Sequence, residues 1–293
     1  MIENPVFVRG MSRSGGTLLV TILDSHPNIS MSYEIYPRQL DIGEMTGSAE
    51  ELLELARSLQ EQEDPVMALK LLPSKSMSNF VARCPRGGVS HQRFGEILES
   101  HVNSGFLLNT PEEKMKVMER CCLDKMEREG KSTWGLKCDN RYSEYIELWP
   151  DSFFLNIVRD GRDVLASQLN TGSFNPDPFE CGRGWAYTHR KFEQFMKDYP
   201  GHGHIVSYEK LCTNPLEEME EVFFKLGMEN NSSALDYHKK DLTIFTASHL
   251  SMDRISKPID TTSIGRWKDE VSKEQMVEFM KSAGDMMEKY GYR

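Results

Sequence analysis

The sequence predicts an α/β protein: a three-layer fold with a central, mainly parallel sheet flanked by helices, and a helical insert on the substrate side. Three observations predict it. Residues 6–8 are a short apolar run that reads as a buried strand, residues 10–16 a glycine-bearing loop, and residues 17–23 the helix that follows. Residues 153–167 repeat that order, with an apolar strand ending near Val158, a turn at Arg159-Asp160-Gly161, and a helix carrying Ser167. Residues 204–207 read as another strand, between long helices at 179–199 and 215–226. Strands alternating with helices in this way imply a parallel sheet.

The remaining elements follow from local chemistry. Residues 41–62 are acidic and carry Leu52, Leu53, Leu55 and Leu59 as the stripe of an amphipathic helix, with further helices predicted over 91–103 and 112–128. Residues 71–88 read as a loop broken by Pro73 and Gly87-Gly88. Lys75, Arg83 and Arg86 there, with Arg93, offer either a basic cleft for an anionic acceptor or an ordinary solvated surface. Residues 133–170 read as β-α-β-α. Residues 272–290 form the last helix, with Ser272 at its N-cap and Gln275 three positions on, a capping box. At 293 residues and 39% hydrophobic content the chain supports one large core, and no internal repeat divides it. The expectation is a single domain over 1–293, with the helical insert at about 40–130.

Composition narrows the function. The net charge of −10 argues against nucleic acid, which needs a concentrated basic face. No apolar run approaches the ~20 residues of a membrane-spanning helix, and residues 1–20 lack the basic and apolar regions of a signal peptide, so a cytoplasmic location is expected. Six scattered cysteines have neither zinc-site nor secreted-framework spacing, and reduced thiols are expected. His202-Gly203-His204 could bring two imidazoles to a metal, but other ligands at recognisable spacing are lacking, and a polar loop serves as well.

The chemistry concentrates in the first loop. From Gly10 the spacing runs through four residues to Gly15, Gly16 and Thr17, the phosphate-loop pattern with Gly16 where a lysine belongs. That lysine neutralises β- and γ-phosphates in nucleotide triphosphatases. A P-loop-like cradle without it suits a nucleotide with fewer 5′ charges. Arg13 remains as a planar cation able to pair two oxygens, and Arg13, Ser14, Gly15, Gly16 and Thr17 are the candidate 5′-phosphate ligands. Arg159, at a strand end, and Ser167, about two helical turns onward, can reach one anion beside this loop if the strands are neighbours.

Together the two segments resemble the sulfotransferases that use 3′-phosphoadenosine 5′-phosphosulfate. In that family an Arg-Ser-Gly-Thr-Thr run marks the 5′-phosphosulfate loop, and Arg-Asp-x-Arg-Asp followed by Ser marks the 3′-phosphate site; residues 13–17 and 159–167 match. Within the family the likeness is greatest to tyrosylprotein sulfotransferases and soluble bacterial relatives. Residues 13–28, with their Asp-x-His-Pro run, the following Glu34, residues 205–211, residues 253–259 and Gly265-Arg266-Trp267-Lys268 all resemble segments of that group. The likeness spans 5–38 and 133–270 but not the middle. It departs at Gly16, where the family usually has Thr, and at Ser12, where Pro is common.

The resemblance implies roles. Glu34, after a predicted strand, matches the family's catalytic base; a structural pairing with Arg38 is the other reading. Lys137 resembles the lysine that faces the bridging oxygen, sharing with Arg13 the stabilisation of the leaving phosphate; otherwise it pairs with Asp139. Arg159 and Ser167 would hold the 3′-phosphate, with Arg266 and Lys268 closing over it. Tyr208 and Trp267 would contact adenine, or serve as core. Ser248 or Ser251 corresponds to a serine that faces the leaving group, in an ambiguous register. The implied reaction moves a sulfuryl group from 3′-phosphoadenosine 5′-phosphosulfate to a tyrosine, carbohydrate or small alcohol or phenol hydroxyl, yielding 3′-phosphoadenosine 5′-phosphate. No metal is expected, since protein cations can supply the charge. Two rivals stand beside it: a P-loop kinase, which needs the absent lysine, and a non-catalytic nucleotide-binding protein, which has no need of Glu34 and Lys137.

Overall fold

A computed structural model of the chain describes residues 3–171, 176–240 and 252–292. Five strands, β1 (Glu3–Gly10), β2 (Ile29–Tyr33), β3 (Thr133–Lys137), β4 (Phe153–Val158) and β5 (Gly203–Ser207), form a sheet in the order β2-β3-β1-β4-β5. The pairings of β2 with β3, β1 with β4 and β4 with β5 are all parallel. Helices connect the strands, so the expected α/β class with a parallel sheet is observed. Contacts divide the chain into two units, one of Met1–Pro5, Leu23–Asp139 and Lys240–Met252, the other of Val6–Ile22, Asn140–Lys239 and Asp253–Arg293.

The first unit holds β2, β3 and the helices between them. Helix Ala49–Glu61 starts at Ser48, whose hydroxyl accepts from the Glu51 amide, and buries Leu52, Leu55, Ala56 and Leu59. Leu53 is only half-buried, so Ala56 replaces it on the inner stripe. Helices His91–Asn103 and Pro111–Arg128 fall where the periodicity placed them. The expected loop over 71–88 is instead a helix, Lys75–Val81, and a 3-10 turn, Cys84–Gly87. Ser74 caps that helix by accepting from the Met77 amide, and Met77, Phe80 and Val81 bury its apolar side. Pro73 precedes the cap rather than breaking a strand or helix. Arg93 belongs to an ion pair with buried Asp124, 2.6 Å away, and not to a basic cleft.

Lys125 lies almost fully buried, its Nζ 2.6 Å from Asp24 Oδ1 and 2.7 Å from Glu129 Oε1 while donating to Ser30 Oγ. Asp24 Oδ1 also accepts from the Met31 amide at 2.7 Å. A buried ammonium is tolerated only when its donors are met, and this set pins the start of β2 to helix Pro111–Arg128.

The second unit centres on β1, β4 and β5. Phe7 stacks on Phe154 with centroids 5.0 Å apart, and Tyr142, Phe192 and Phe195 extend the aromatic layer. Helices Pro178–Asp198 and Lys273–Lys289 close on a cluster that includes Val158, Leu165, Trp185, Phe279 and Met287. Gly182 permits that approach, because a Cβ there would lie 2.6 Å from the Phe279 carbonyl oxygen. The Ser272 capping box forms with Gln275 as the sequence indicates. A short helix, Tyr208–Thr213, in a stretch to which the sequence assigned no element, follows β5 directly. All six cysteines are buried, and none is in a disulfide. Among the described residues no helix is long and apolar enough to cross a membrane.

Candidate active site

In the second unit, β1 and β4 run in register with Gly10 beside Ile157, so the loop after β1 and the turn after β4 leave the sheet side by side. That places the two sequence motifs together. The loop tightens through a Ser14 amide bond to the Met11 carbonyl at 3.0 Å, with Arg13 at φ +75° and Gly15 at φ +94°. A Cβ on Gly15 would overlap the Tyr208 ring, so both sterics and dihedral require glycine there. Helix Gly16–Asp24 begins at the loop's end. The first-turn amides of such a helix lack intrahelical acceptors and carry its positive pole.

Arg13 Nε donates to Ser167 Oγ at 3.1 Å, and Arg159 Nη1 donates to the Arg13 carbonyl at 3.0 Å. Arg159 is buried, gripping the Ser263 carbonyl through Nη2 and lying 4.6 Å over the Tyr208 ring centroid. It therefore acts here as a staple between two loops. Tyr208 is buried as well, and that burial pushes its phenol up to about 12. Trp267 is half-buried with the Arg162 guanidinium 4.1 Å from its ring centroid. Lys268 is exposed, 5.9 Å from the same ring, and Arg266 pairs with Glu270 at 2.7 Å. Ser248 and Ser251 lie outside the described residues.

In the first unit, the β2–β3 register sets Tyr33 beside Lys137. Lys137 Nζ lies 2.7 Å from Glu34 Oε1 and donates to Tyr33 Oη at 2.9 Å. Lys137 thus pairs with Glu34, while Asp139 has Arg38 at 3.7 Å. Glu34 adopts φ +57°, and its carbonyl accepts from Arg83 Nη1 at 3.0 Å. Arg83 also lies 6.0 Å from the Tyr36 ring centroid, and Arg86 lies 5.9 Å from that of Tyr33. These two arginines belong to the Glu34 cluster rather than to a solvated loop.

Burial pushes the Glu34 carboxyl up, but the charge and hydrogen bond of Lys137, with the charges of Arg83 and Arg86, outweigh it and hold the group below the ordinary glutamate value. For Lys137 burial pulls downward, and Tyr33 and Glu34 reverse that, leaving the ammonium more basic than usual. The couple is an anionic carboxylate facing a firmly charged lysine at neutral pH.

Asp163, Arg162, Ser263 and Tyr33 join these clusters without a role legible in the sequence. The second Arg-Asp pair of the 159–163 motif was the available signal for the first two, since buried charge so close to a phosphate-type loop needs a task. His202 and His204 do not converge: His202 Nδ1 sits 3.1 Å from the Ser152 carbonyl oxygen, and His204 faces Glu221 at 3.8 Å. Among the described residues no set of three or more His, Cys, Asp or Glu side chains could hold a metal.

The loop suits a phosphorylated ligand. Ser14 Oγ and Arg159 Nε are buried without hydrogen-bond partners; with the amides of the helix N-terminus and the Arg13 guanidinium they are the kind of donors that phosphate oxygens accept from.

Parallel strands whose carboxyl ends carry an arginine-bearing glycine loop and a second arginine motif define an α/β protein with a candidate anion site. The chain belongs to the sulfotransferase family, whose model matches residues 5–232. It is 23% identical over 302 residues to a protein-tyrosine sulfotransferase of Drosophila melanogaster, with 98% of this chain and 51% of that protein covered. It is also 23% identical over 299 residues to protein-tyrosine sulfotransferase A of Caenorhabditis elegans, covering 98% and 67%. The chain thus spans about half of the first relative and two thirds of the second. Two solved structures share the fold. A sulfotransferase domain from the curacin biosynthetic pathway superposes with a TM-score of 0.60 at 16% identity, over 97% of both chains. A sulfotransferase domain from the Synechococcus PCC 7002 olefin synthase gives 0.57 at 17%, over 99% of this chain and 96% of that one.

Proposed function

We propose that the protein transfers a sulfuryl group from 3′-phosphoadenosine 5′-phosphosulfate to an acceptor hydroxyl. The observation that carries this is the bond from Arg13 Nε to Ser167 Oγ. It joins the loop expected at a 5′-phosphate to the helix expected at a 3′-phosphate, across 154 residues of sequence. The donor supplies the sulfuryl group and leaves as the 3′,5′-bisphosphate. The Gly15, Gly16 and Thr17 amides, with the Arg13 guanidinium, bind the 5′-phosphate, while Ser167 and Arg159 serve the 3′-phosphate. Glu34 receives the acceptor hydroxyl's proton on its carboxylate, and Lys137 and Arg13 stabilise charge on the departing phosphate oxygen. The curated relatives are named for tyrosine, which makes a tyrosyl hydroxyl the first acceptor to assay.

The test is thermal unfolding with 3′-phosphoadenosine 5′-phosphate, 5′-AMP or ATP–magnesium. A ligand at ~100 times its dissociation constant adds about 2.7 kcal/mol and raises the midpoint by several degrees. Stabilisation by the bisphosphate alone supports the reading. Stabilisation by ATP–magnesium in its place turns the assignment to a kinase.

A further inference from the structure

Three charged side chains following β4 converge on one short stretch, residues 263–267. Arg159 holds the Ser263 carbonyl. Asp163, on helix Gly161–Leu169, is fully buried and accepts from the Gly265 amide at 2.8 Å and the Trp267 amide at 3.0 Å, one on each carboxylate oxygen. Arg162 stacks on the Trp267 ring and is itself held by Asp160 at 2.7 Å. Gly265 adopts φ +76°, which bends the chain so that amides two residues apart meet a single carboxylate.

A buried carboxylate carries a desolvation cost of several kcal/mol unless it is met by donors or charge. Burial pushes the Asp163 carboxyl above the ordinary aspartate value, and the amides of a segment about 100 residues away in sequence, with the charge of Arg159, oppose that push. The two bonds bracket Arg266 and lead directly into Trp267 and Lys268. These are the side chains that the family resemblance assigns to the nucleotide, and their placement depends on where the bracket is fixed.

We propose that Asp163 is a positioning residue for nucleotide binding, a latch that fixes residues 265–267 so that Arg266, Trp267 and Lys268 meet a 3′,5′-bisphosphorylated nucleotide. The inference rests on the nucleotide reading above and adds a residue that itself has no part in touching the ligand.

The experiment compares the unaltered protein with Asp163→Asn in two readouts. Titration with 3′-phosphoadenosine 5′-phosphate gives affinity, and trypsin digestion of the nucleotide-free protein reports cleavage after Arg266 and Lys268. The amide oxygen of asparagine replaces only one of the two acceptors. The expected result is an affinity loss of at least tenfold, several-fold faster cleavage at both sites, and a raised donor KM with kcat within about twofold. Where Asp163→Asn does not fold, Gly265→Ala takes its place, because open space surrounds that position and only the loop's backbone is strained. It is expected to move both readouts the same way. Unchanged affinity, or lost affinity with unchanged cleavage, overturns the latch. Absence of bisphosphate binding by the unaltered protein sinks the nucleotide reading and the latch together, whereas binding that survives Asp163→Asn sinks the latch alone.

Discussion

Lys137 Nζ and Glu34 Oε1 stand 2.7 Å apart, each at or just beyond the end of its strand, and each sets the protonation state of the other. The Glu34 carboxyl titrates below its ordinary value because cations outweigh burial. Folded Glu34 is therefore ionised at neutral pH and loses its charge only as pH falls through that lowered value. Lys137→Met removes the main cation while leaving the burial, so the acidic limb of kcat/KM moves to higher pH, by about 1–3 units if the pairing dominates. A pH–rate profile checks it, and an unmoved limb excludes Glu34 as the titrating base.

Glu34→Gln keeps the shape and removes the base. Turnover falls by about 10²–10⁴-fold, while the affinity for 3′-phosphoadenosine 5′-phosphate stays near that of the parent. Single-turnover assays and calorimetric titration separate the two. Loss of both together points to a structural role for the carboxylate.

Ser167→Ala removes the acceptor of Arg13 Nε and leaves that guanidinium less firmly aimed. It also removes the hydroxyl proposed to meet the 3′-phosphate, and hydrogen bonds to a charged group contribute about 1.5–3 kcal/mol, so bisphosphate affinity drops by roughly tenfold or more. The same variant unfolds at nearly the parental temperature in the absence of nucleotide. A large fall in that temperature assigns the bond to stability instead.

Gly15→Ala meets two obstacles, a φ of +94° and the Tyr208 ring. Nucleotide binding is lost, and stability falls by about 1–3 kcal/mol. Adding Tyr208→Leu relieves the clash but not the dihedral, so only part of the stability returns. A double-mutant cycle in urea measures the recovered fraction; full recovery shows that the left-handed backbone carries no penalty.

His189 is buried beside the Asn156 amide nitrogen, 3.1 Å from its Nδ1, and burial, reinforced by the charge of Arg9, pulls it to about 3. It is neutral when folded and protonates near its ordinary value when unfolded. The resulting stability is fully present above pH ~6.5 and declines as pH falls toward 3. His189→Gln flattens that dependence, which unfolding curves between pH 7 and 4 resolve. A slope equal to the parent's assigns the acid sensitivity to other groups.

The strands and long helices were legible because their burial is written in the sequence. The runs at β1 and β4 are apolar, as strands buried on both faces are, and the Ser272–Gln275 capping box is a local signal with a local outcome. Helix Lys75–Val81 was hidden because Pro73 and Gly87-Gly88 outweighed a single serine cap and three apolar residues. The strand-end chemistry divides the same way. Arg13, Glu34 and Lys137 stood out by motif, but the Glu34–Lys137 pairing follows from the β2–β3 register, which no local pattern encodes. Asp163 lay in plain view within a recognised motif. Its role depends on Gly265 and Trp267, whose approach is a property of the tertiary fold.

The second unit is assembled from three separate stretches, Val6–Ile22, Asn140–Lys239 and Asp253–Arg293. On a ribosome adding about 5–20 residues per second, the glycine loop exists well before the residues that Asp163 latches. For roughly 12–50 s the nascent chain carries that loop without the 263–267 stretch. The surroundings of the glycine loop are thus completed only after a long further stretch of the chain has been synthesised. A truncation that removes helix Lys273–Lys289 strips the partner of helix Pro178–Asp198, so loss of nucleotide binding in such a fragment reports failed assembly rather than a missing ligand contact.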